Sequence, residues 1–205
     1  MRRGRLLPAA LALALSSCGS VLPPPAPPPP LYRLTALSEP AAPAPSVDAQ
    51  LVVEIPAAPA ALDTERIALT RGPLRVDYFA NAAWSDHAPA LLQFLMIESL
   101  ENEGQIRVVS RPSGELRPDA VLLTDVRRFE ADYGAGDRPE IRVQLDCRLV
   151  RASDRTVLAV RTFEGTGRAA ANDTPQIVAA FDDAFHAAMR ALAPWTAQTL
   201  AAMRK

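Results

Sequence analysis

The run Ser85-Asp86-His87 contains the three side-chain types of a hydrolytic triad. A triad needs the hydroxyl to contact the imidazole and the imidazole to contact the carboxylate, which consecutive residues cannot arrange. The same run is typical of a helix start, where Ser85 caps the first turn and Asp86 meets the positive end of the helix dipole. We therefore interpret it as the beginning of a helix and expect no acyl-transfer chemistry there.

The other candidates for chemistry are isolated from one another. His87 and His186 are the two histidines, and neither has a second ligand at metal-binding spacing. Asp182 and Asp183 are adjacent in a helical pattern, so their carboxylates diverge by about 100° and favour a solvated face. The sequence also lacks a phosphate loop, a Gly-x-Ser-x-Gly elbow and a His-Glu-x-x-His motif. We expect no enzyme activity, no metal and no cofactor.

Cys18 carries a different chemistry, because its thiol can accept a diacylglycerol group. Three of the first five residues are arginines, residues 6–15 are apolar apart from one proline, and the run Leu15-Ser16-Ser17-Cys18 overlaps the end of this segment. An apolar segment of about ten residues is too short to cross a membrane core of about 30 Å and is typical of an export signal. The run resembles the bacterial lipobox, which predicts cleavage after residue 17 and fatty acyl chains such as palmitate on Cys18. The alternative is an ordinary secretory signal.

The residues after Cys18 predict a tether. Residues 19–30 contain seven prolines in twelve positions, which excludes a helix and favours polyproline II. At about 3.1 Å per residue this segment forms a semi-rigid spacer of roughly 37 Å. Two or more acyl chains anchor a protein stably at a bilayer. By resemblance to other sorted lipoproteins, Gly19 rather than aspartate after the cysteine favours the outer membrane.

Charge and cysteine content describe the remaining domain. Loss of the three arginines of the leader shifts the formal charge from −1 to −4, and a mildly acidic domain argues against nucleic acid as a partner. With Cys18 lipidated, Cys147 has no cysteine to pair with, and its position among apolar residues predicts a buried thiol. We divide the chain into a signal peptide at 1–17, a lipidated cysteine and tether at 18–30, and one periplasmic domain at 31–205.

The patterning of apolar residues predicts an α+β fold. The clearest pattern lies at 141–149, where apolar and polar residues alternate, and one wet face favours antiparallel neighbours. Helices are predicted at 86–103, capped by Gly104, and from Thr174 to beyond Leu192. The predicted strands are 31–34, 50–56, 65–70, 74–79, 106–109, 120–133, 141–149 and 156–165. This order predicts a mixed, largely antiparallel sheet packed against two main helices.

Large aromatic side chains are assigned to the core of this domain. Their spacing fits the buried faces of strands and helices, although a lipid-facing groove among them is the alternative that the sequence leaves open. These residues are Phe79, Trp84, Phe181, Phe185 and Trp195.

With the lipobox, the tether and this element order, the chain resembles the ABC-type transport auxiliary lipoproteins, the PqiC-like family. The resemblance covers most of the mature chain and consists of apolar and aromatic positions rather than a catalytic signature. The matching segments are Leu31-Tyr32-Arg33-Leu34, 51–56, Leu62-Asp63-Thr64-Glu65-Arg66-Ile67, 78–84 with the following leucine-rich helix, 121–130, and the last helix up to Trp195.

The resemblance implies a non-enzymatic subunit beside an ABC permease, an ATPase and an MCE-domain protein that move lipids between the two membranes. The subunit is expected at the periplasmic face of the outer membrane. An outer-membrane assembly or pilotin-like lipoprotein with a protein client is the alternative, and a periplasmic hydrolase is a third hypothesis. The sequence leaves open whether this subunit contacts a lipid cargo and whether it is a monomer or a homo-oligomeric ring.

Overall fold

The structure, a computed structural model, describes residues 28–38, 46–113, 117–134 and 136–204. The predicted signal peptide at 1–17, the lipid attachment at Cys18 and most of the tether lie outside these residues. Those assignments stay predictions.

The elements follow one another in the predicted order. The strands are β1 (Leu31–Tyr32), β2 (Val47–Val53), β3 (Arg66–Thr70), β4 (Val76–Trp84), β5 (Ile106–Ser110), β6 (Ala120–Asp132), β7 (Glu140–Arg151) and β8 (Val157–Arg168), and the helices are α1 (Ala88–Glu103) and α2 (Thr174–Met203). The strands form one mixed eight-stranded sheet. The predicted α+β fold is therefore confirmed.

Several element ends differ from the prediction: β1 is shorter, β2 lies at Val47–Val53 rather than 50–56, and α1 begins at Ala88. In two further elements, β4 and α2, tertiary contacts outweigh local sequence. β4 continues past Phe79 to Trp84, since its last residues pair with β1 even though alanine and asparagine are poor strand formers. α2 continues through Pro194, which lacks the N–H of one helical hydrogen bond. Ala197 and Leu200 beyond that proline are buried, so packing stabilises the last turns.

Strand β6 lies at the centre of the sheet. β7 pairs with it in antiparallel register from Asp132 opposite Glu140 to Ala120 opposite Arg151, and β8 pairs with β7 in the same antiparallel way. These two long pairings make the sheet largely antiparallel by length. The strand pairs β1–β4, β2–β5, β2–β6 and β3–β6 are parallel.

The second edge of β6 is divided between two strands. β2 pairs with residues 120–122 at its beginning, and β3 pairs with residues 131–132 at its end. Between them Ala57 alone bridges to Asp125, with its N–H donating to the Thr124 carbonyl at 2.8 Å. The sheet therefore forks at β6, with β5 beyond β2 in one branch and β4 and β1 beyond β3 in the other.

The two faces of the long strands differ in polarity, as the alternation predicted. The apolar residues of β7 from Ile141 to Leu149 are buried in a core shared with α1 and α2. The intervening polar residues lie on the opposite face, which we call the outer face. Ion pairs on this face include Arg148–Asp125 at 2.5 Å, Arg127–Asp146 at 3.4 Å and Arg142–Asp132 at 3.3 Å.

Helix α2 approaches β8 closely because β8 has glycines on its core face. A Cβ atom on Gly165 would lie 1.8 Å from the carbonyl oxygen of Ala184, and one on Gly167 would lie 2.1 Å from that of Ala180. Both neighbours are main-chain atoms of α2, which cannot move without shifting the helix. The glycines and the small residues of α2 therefore set the distance between helix and sheet.

We expect Gly165→Ala to lower the free energy of unfolding by roughly 3 kcal/mol, because the added methyl group must push α2 away from β8. Urea unfolding followed by circular dichroism measures this change. Gly136→Ala is the matched control, since its Cβ would lie 3.6 Å from the nearest atom, an ordinary contact. Equal midpoints for Gly165→Ala and the native protein would contradict the close packing.

Candidate functional site

The Ser-Asp-His run lies between β4 and α1 and does not form a triad. The main-chain N–H of Ser85 donates to a carbonyl of β1 at 2.8 Å, so the chain is still extended there. α1 begins at Ala88 with His87 as its N-cap residue and without a side-chain cap hydrogen bond. The prediction that Ser85 caps this helix is therefore wrong. The His87 imidazole instead contacts Asp63, at 3.1 Å from Nδ1 to Oδ1, and both side chains are about half exposed.

Metal-ligating side chains and membrane-spanning helices are two other features relevant to function in the described residues. In the described ranges no group of three or more His, Cys, Asp or Glu side chains is placed to hold a metal ion. Neither of the two described helices is long and apolar enough to cross a membrane.

The carboxylate of Asp182 holds the segment that leads into the domain. Its Oδ1 accepts the Thr35 main-chain N–H at 2.6 Å, and its Oδ2 accepts the Thr35 hydroxyl at 2.7 Å. His186 Nε2 lies 2.9 Å from the carbonyl oxygen of Thr35. The expectation of a solvated face holds for Asp183, which is exposed, but is wrong for Asp182. We call these three residues, Thr35, Asp182 and His186, the entry clamp.

The aromatic residues assigned to the core pack there. Trp84, Phe129 and Phe181 form a triangle with ring centroids 5.1–5.4 Å apart. Phe185 is fully buried as well, whereas Phe79 and Trp195 are partly buried against the same core. These rings fill the space between the sheet and the helices, so they do not line an open groove.

Cys147 is fully buried, as predicted. Burial raises the pKa of its thiol to about 12, although the Thr124 hydroxyl at 3.6 Å opposes this shift. A thiol of this kind stays protonated at neutral pH and is neither a nucleophile nor a metal ligand.

A groove of about 660 Å³ opens on the outer face beside the β3–β4 hairpin. It lies where β3 leaves the end of β6, so the hairpin forms one wall and the outward side chains of β6 and β7 form the floor. The residues that connect β2 to β3 complete the rim. Its lining includes Leu62, Thr70, Leu74, Arg128, Glu130 and Arg142.

Arginines dominate the charge of this groove. Four arginines and two carboxylates line it. Arg128 Nε contacts Glu130 Oε1 at 2.6 Å, and Arg142 Nη2 contacts Glu140 Oε2 at 3.1 Å. Arg142 Nε lies 3.3 Å from Asp132 Oδ2 without forming a well-aligned hydrogen bond, and within the described chain Thr70 Oγ1 is buried without a hydrogen-bond partner. Polar atoms of this kind favour an added partner, because an unpaired buried donor costs about 1–3 kcal/mol.

The described lining of the groove is arginine-rich and partly apolar, and it does not contain the residue set of a nucleophilic triad. Thr70 supplies the hydroxyl group in the described lining of the groove, and none of the described lining residues is His, Cys or Ser. Apolar residues of the hairpin wall face an arginine-rich floor, which suits an amphipathic or acidic chain. Sequence reasoning missed this groove, although its floor is the polar side of the alternating pattern at 141–149.

A comparison with protein families identifies the chain. A family model described as ABC-type transport auxiliary lipoprotein component matches residues 32–193. The chain belongs to this family. The resemblance drawn from the sequence is confirmed, and the family is described as an auxiliary component of ABC-type transport rather than as an enzyme family.

Similar proteins fit the same assignment. The uncharacterised protein bll6063 of Bradyrhizobium diazoefficiens is 32% identical over 152 residues, which cover 74% of this chain and 40% of that protein. The match thus spans less than half the length of this curated relative. Protein XCC0632 of Xanthomonas campestris is 31% identical, with a TM-score of 0.80 over 85% of this chain and 98% of that chain.

A more distant structure shares the fold alone. The hypothetical protein CT253 of Chlamydia trachomatis is 8% identical, with a TM-score of 0.54 over 75% of this chain and 99% of that chain.

For the entry clamp, we expect Asp182→Ala to lower the free energy of unfolding by about 1–3 kcal/mol, because the Thr35 N–H and hydroxyl lose a charged acceptor. Asp183→Ala is the matched control one residue away, and its exposed side chain predicts a change within about 0.5 kcal/mol. Urea denaturation of both variants tests the clamp. Equal destabilisation by the two substitutions would show that the Thr35 contacts contribute nothing.

Proposed function

We propose that this auxiliary lipoprotein is a non-enzymatic subunit of an ABC/MCE-type system that moves phospholipids between the inner and outer membranes. The observation that carries the proposal is the family match over residues 32–193. A groove whose described lining combines arginines with apolar side chains and contains no His, Cys or Ser supports a binding role. In this role the subunit docks the transporter at the outer membrane.

The lipid anchor defines where the subunit works. We place the acylated Cys18 in the periplasmic leaflet of the outer membrane, with the folded domain held by the proline-rich segment. A spacer of roughly 37 Å keeps the domain near that membrane while leaving it free to meet a partner in the periplasm. The entry clamp supports this arrangement, because it fixes the first part of the domain to α2.

The outer face of β6, β7 and β8 is the docking surface that we assign to the MCE-domain partner. Its arginines and carboxylates alternate, and side chains such as Glu164 on β8 are exposed. Polar, charge-paired surfaces are typical of interfaces that form and separate, rather than of permanent ones. The same polar, charge-paired face also suits self-association into a homo-oligomer.

For the anchor, we expect Cys18→Ser to move the protein from the outer-membrane fraction to the soluble periplasmic fraction. The physical reason is that without acyl chains an acidic domain has too little apolar contact to stay at a bilayer. Membrane fractionation with immunoblotting measures the distribution. A Cys18→Ser protein that stays membrane-bound, processed and active would disprove the anchor.

For the partner, we expect a photo-crosslinking amino acid at Glu164 to capture the MCE-domain protein in cells. The control is the same amino acid at Asp183, an equally acidic and exposed position on α2, away from the outer face. Mass spectrometry of the adducts identifies the partner. An MCE-domain adduct at Glu164 alone supports the proposal, whereas a secretin or an assembly protein there favours the pilotin-like alternative.

A further inference from the structure

The β3–β4 hairpin ends in an apolar tip that nothing in the described chain covers. Leu74 is 98% exposed, and Val76 beside it is 45% exposed. The turn reads Arg71-Gly72-Pro73-Leu74-Arg75, and Gly72 with a φ of 122° allows the sharp reversal. Single exposed leucines are common on protein surfaces, so exposure alone does not indicate a contact. The position of the tip relative to the chain that enters the domain supplies the further argument.

The chain enters the domain from the side on which the tip lies. β1 is parallel to β4, with Leu31 opposite Ala83, and the carbonyl oxygen of Pro30 accepts the Ala83 N–H at 3.2 Å. β4 runs away from the hairpin tip, because the tip immediately precedes it. The chain at Leu31 runs in the same direction, so it reaches Pro30 from the direction of Leu74.

The lengths of the two segments allow the tip and the anchor to meet one bilayer. Seven residues separate Val76 from Ala83, which is about 23 Å along a strand. Twelve residues separate Cys18 from Pro30, which span roughly 37 Å as polyproline II. The tether is thus longer than the distance from Pro30 back to the level of the tip. A lipidated Cys18 can lie in the membrane while Leu74 touches its surface.

The charges near the tip favour an apolar contact rather than an electrostatic one. Arg75 is paired with Asp77, at 2.8 Å from Nε to Oδ2 and 3.0 Å from Nη2 to Oδ1. The guanidinium of Arg71 lies 4.5 Å from the centroid of the Tyr133 ring. Arg75 is ion-paired and Arg71 stacks on an aromatic ring. Leu74 and Val76 are therefore the groups at the tip whose transfer out of water is favourable.

We propose that the hairpin tip formed by residues 72–76 is a second membrane-contact element, in which Leu74 enters the interface of the phospholipid bilayer that holds Cys18. This inference rests on the proposed lipid anchor. The tip and the acyl chains together fix the orientation of the domain, so the groove beside the hairpin faces the membrane surface. The turn between β7 and β8 lies at the opposite end of the long strands and points away from it.

The test uses the lipidated full-length protein with Leu74→Cys, labelled with an environment-sensitive fluorophore and reconstituted into phosphatidylethanolamine–phosphatidylglycerol vesicles. Cys18 is consumed by lipid in this protein, and Cys147 is fully buried with a raised thiol pKa, so the label goes to position 74. Brominated phospholipids in the vesicles quench a fluorophore that enters the bilayer. Val157→Cys is the matched control, since this residue is 52% exposed at the opposite end of the sheet.

We expect quenching at position 74 to exceed that at position 157 several-fold and to persist in high salt, because apolar contacts are not screened by ions. A label at Val76→Cys should lose its quenching when Leu74→Asp is added. Equal quenching at positions 74 and 157 on vesicle-bound protein would overturn the hairpin contact and leave the anchor standing. Quenching that disappears in high salt would overturn the apolar mode. Protein that fails to stay on the vesicles would overturn the anchor and, with it, this inference.

Discussion

Hydrogen bonding along a single strand, β6, determines where the other parts of the domain can lie. β7 occupies one edge for its whole length, and β2 and β3 divide the other. Since each stretch of an edge accepts one partner, the chain between β2 and β3 leaves the sheet after the single bridge at Ala57, and the β3–β4 hairpin extends beyond the end of β6. The groove and the apolar tip both result from this division.

The two faces of the sheet separate stability from recognition. The core side carries the aromatic triangle, the buried thiol and the glycine contacts with α2. The outer face carries ion pairs that are partly exposed, and such pairs contribute little to folding free energy. Substitutions on the outer face can therefore change partners at small cost in stability. This separation suits a subunit that binds other components rather than transforming them.

The periodicity of apolar residues and the turn and cap residues predicted much of the fold, but they could not predict contacts between segments that are distant in the sequence. The alternation in β7 and the cap at Gly104 depend on neighbouring residues, and the structure contains both. The division of β6 depends on parallel pairings between distant segments, which leave no turn signal in the sequence. Asp182 accepts a hydrogen bond from a residue 147 positions away. Its position next to Asp183 in the sequence therefore gave no indication of this contact. The groove was not predicted, because the charged residues of its floor have the same alternating pattern as any solvent-exposed strand face.

Under the proposed export to the periplasm, the enclosed thiol of Cys147 makes the speed of folding important. In the native sheet the thiol is shielded and protonated, so it does not attack disulfides or accept oxidation. Before β7 joins its neighbours, the same group is accessible to oxidising catalysts and to other unfolded chains. β6, β7 and β8 are consecutive antiparallel strands, and such local pairings form early. In the proposed oxidising compartment, protection of this thiol therefore depends on how soon the three strands pair as well as on the stability of the finished domain.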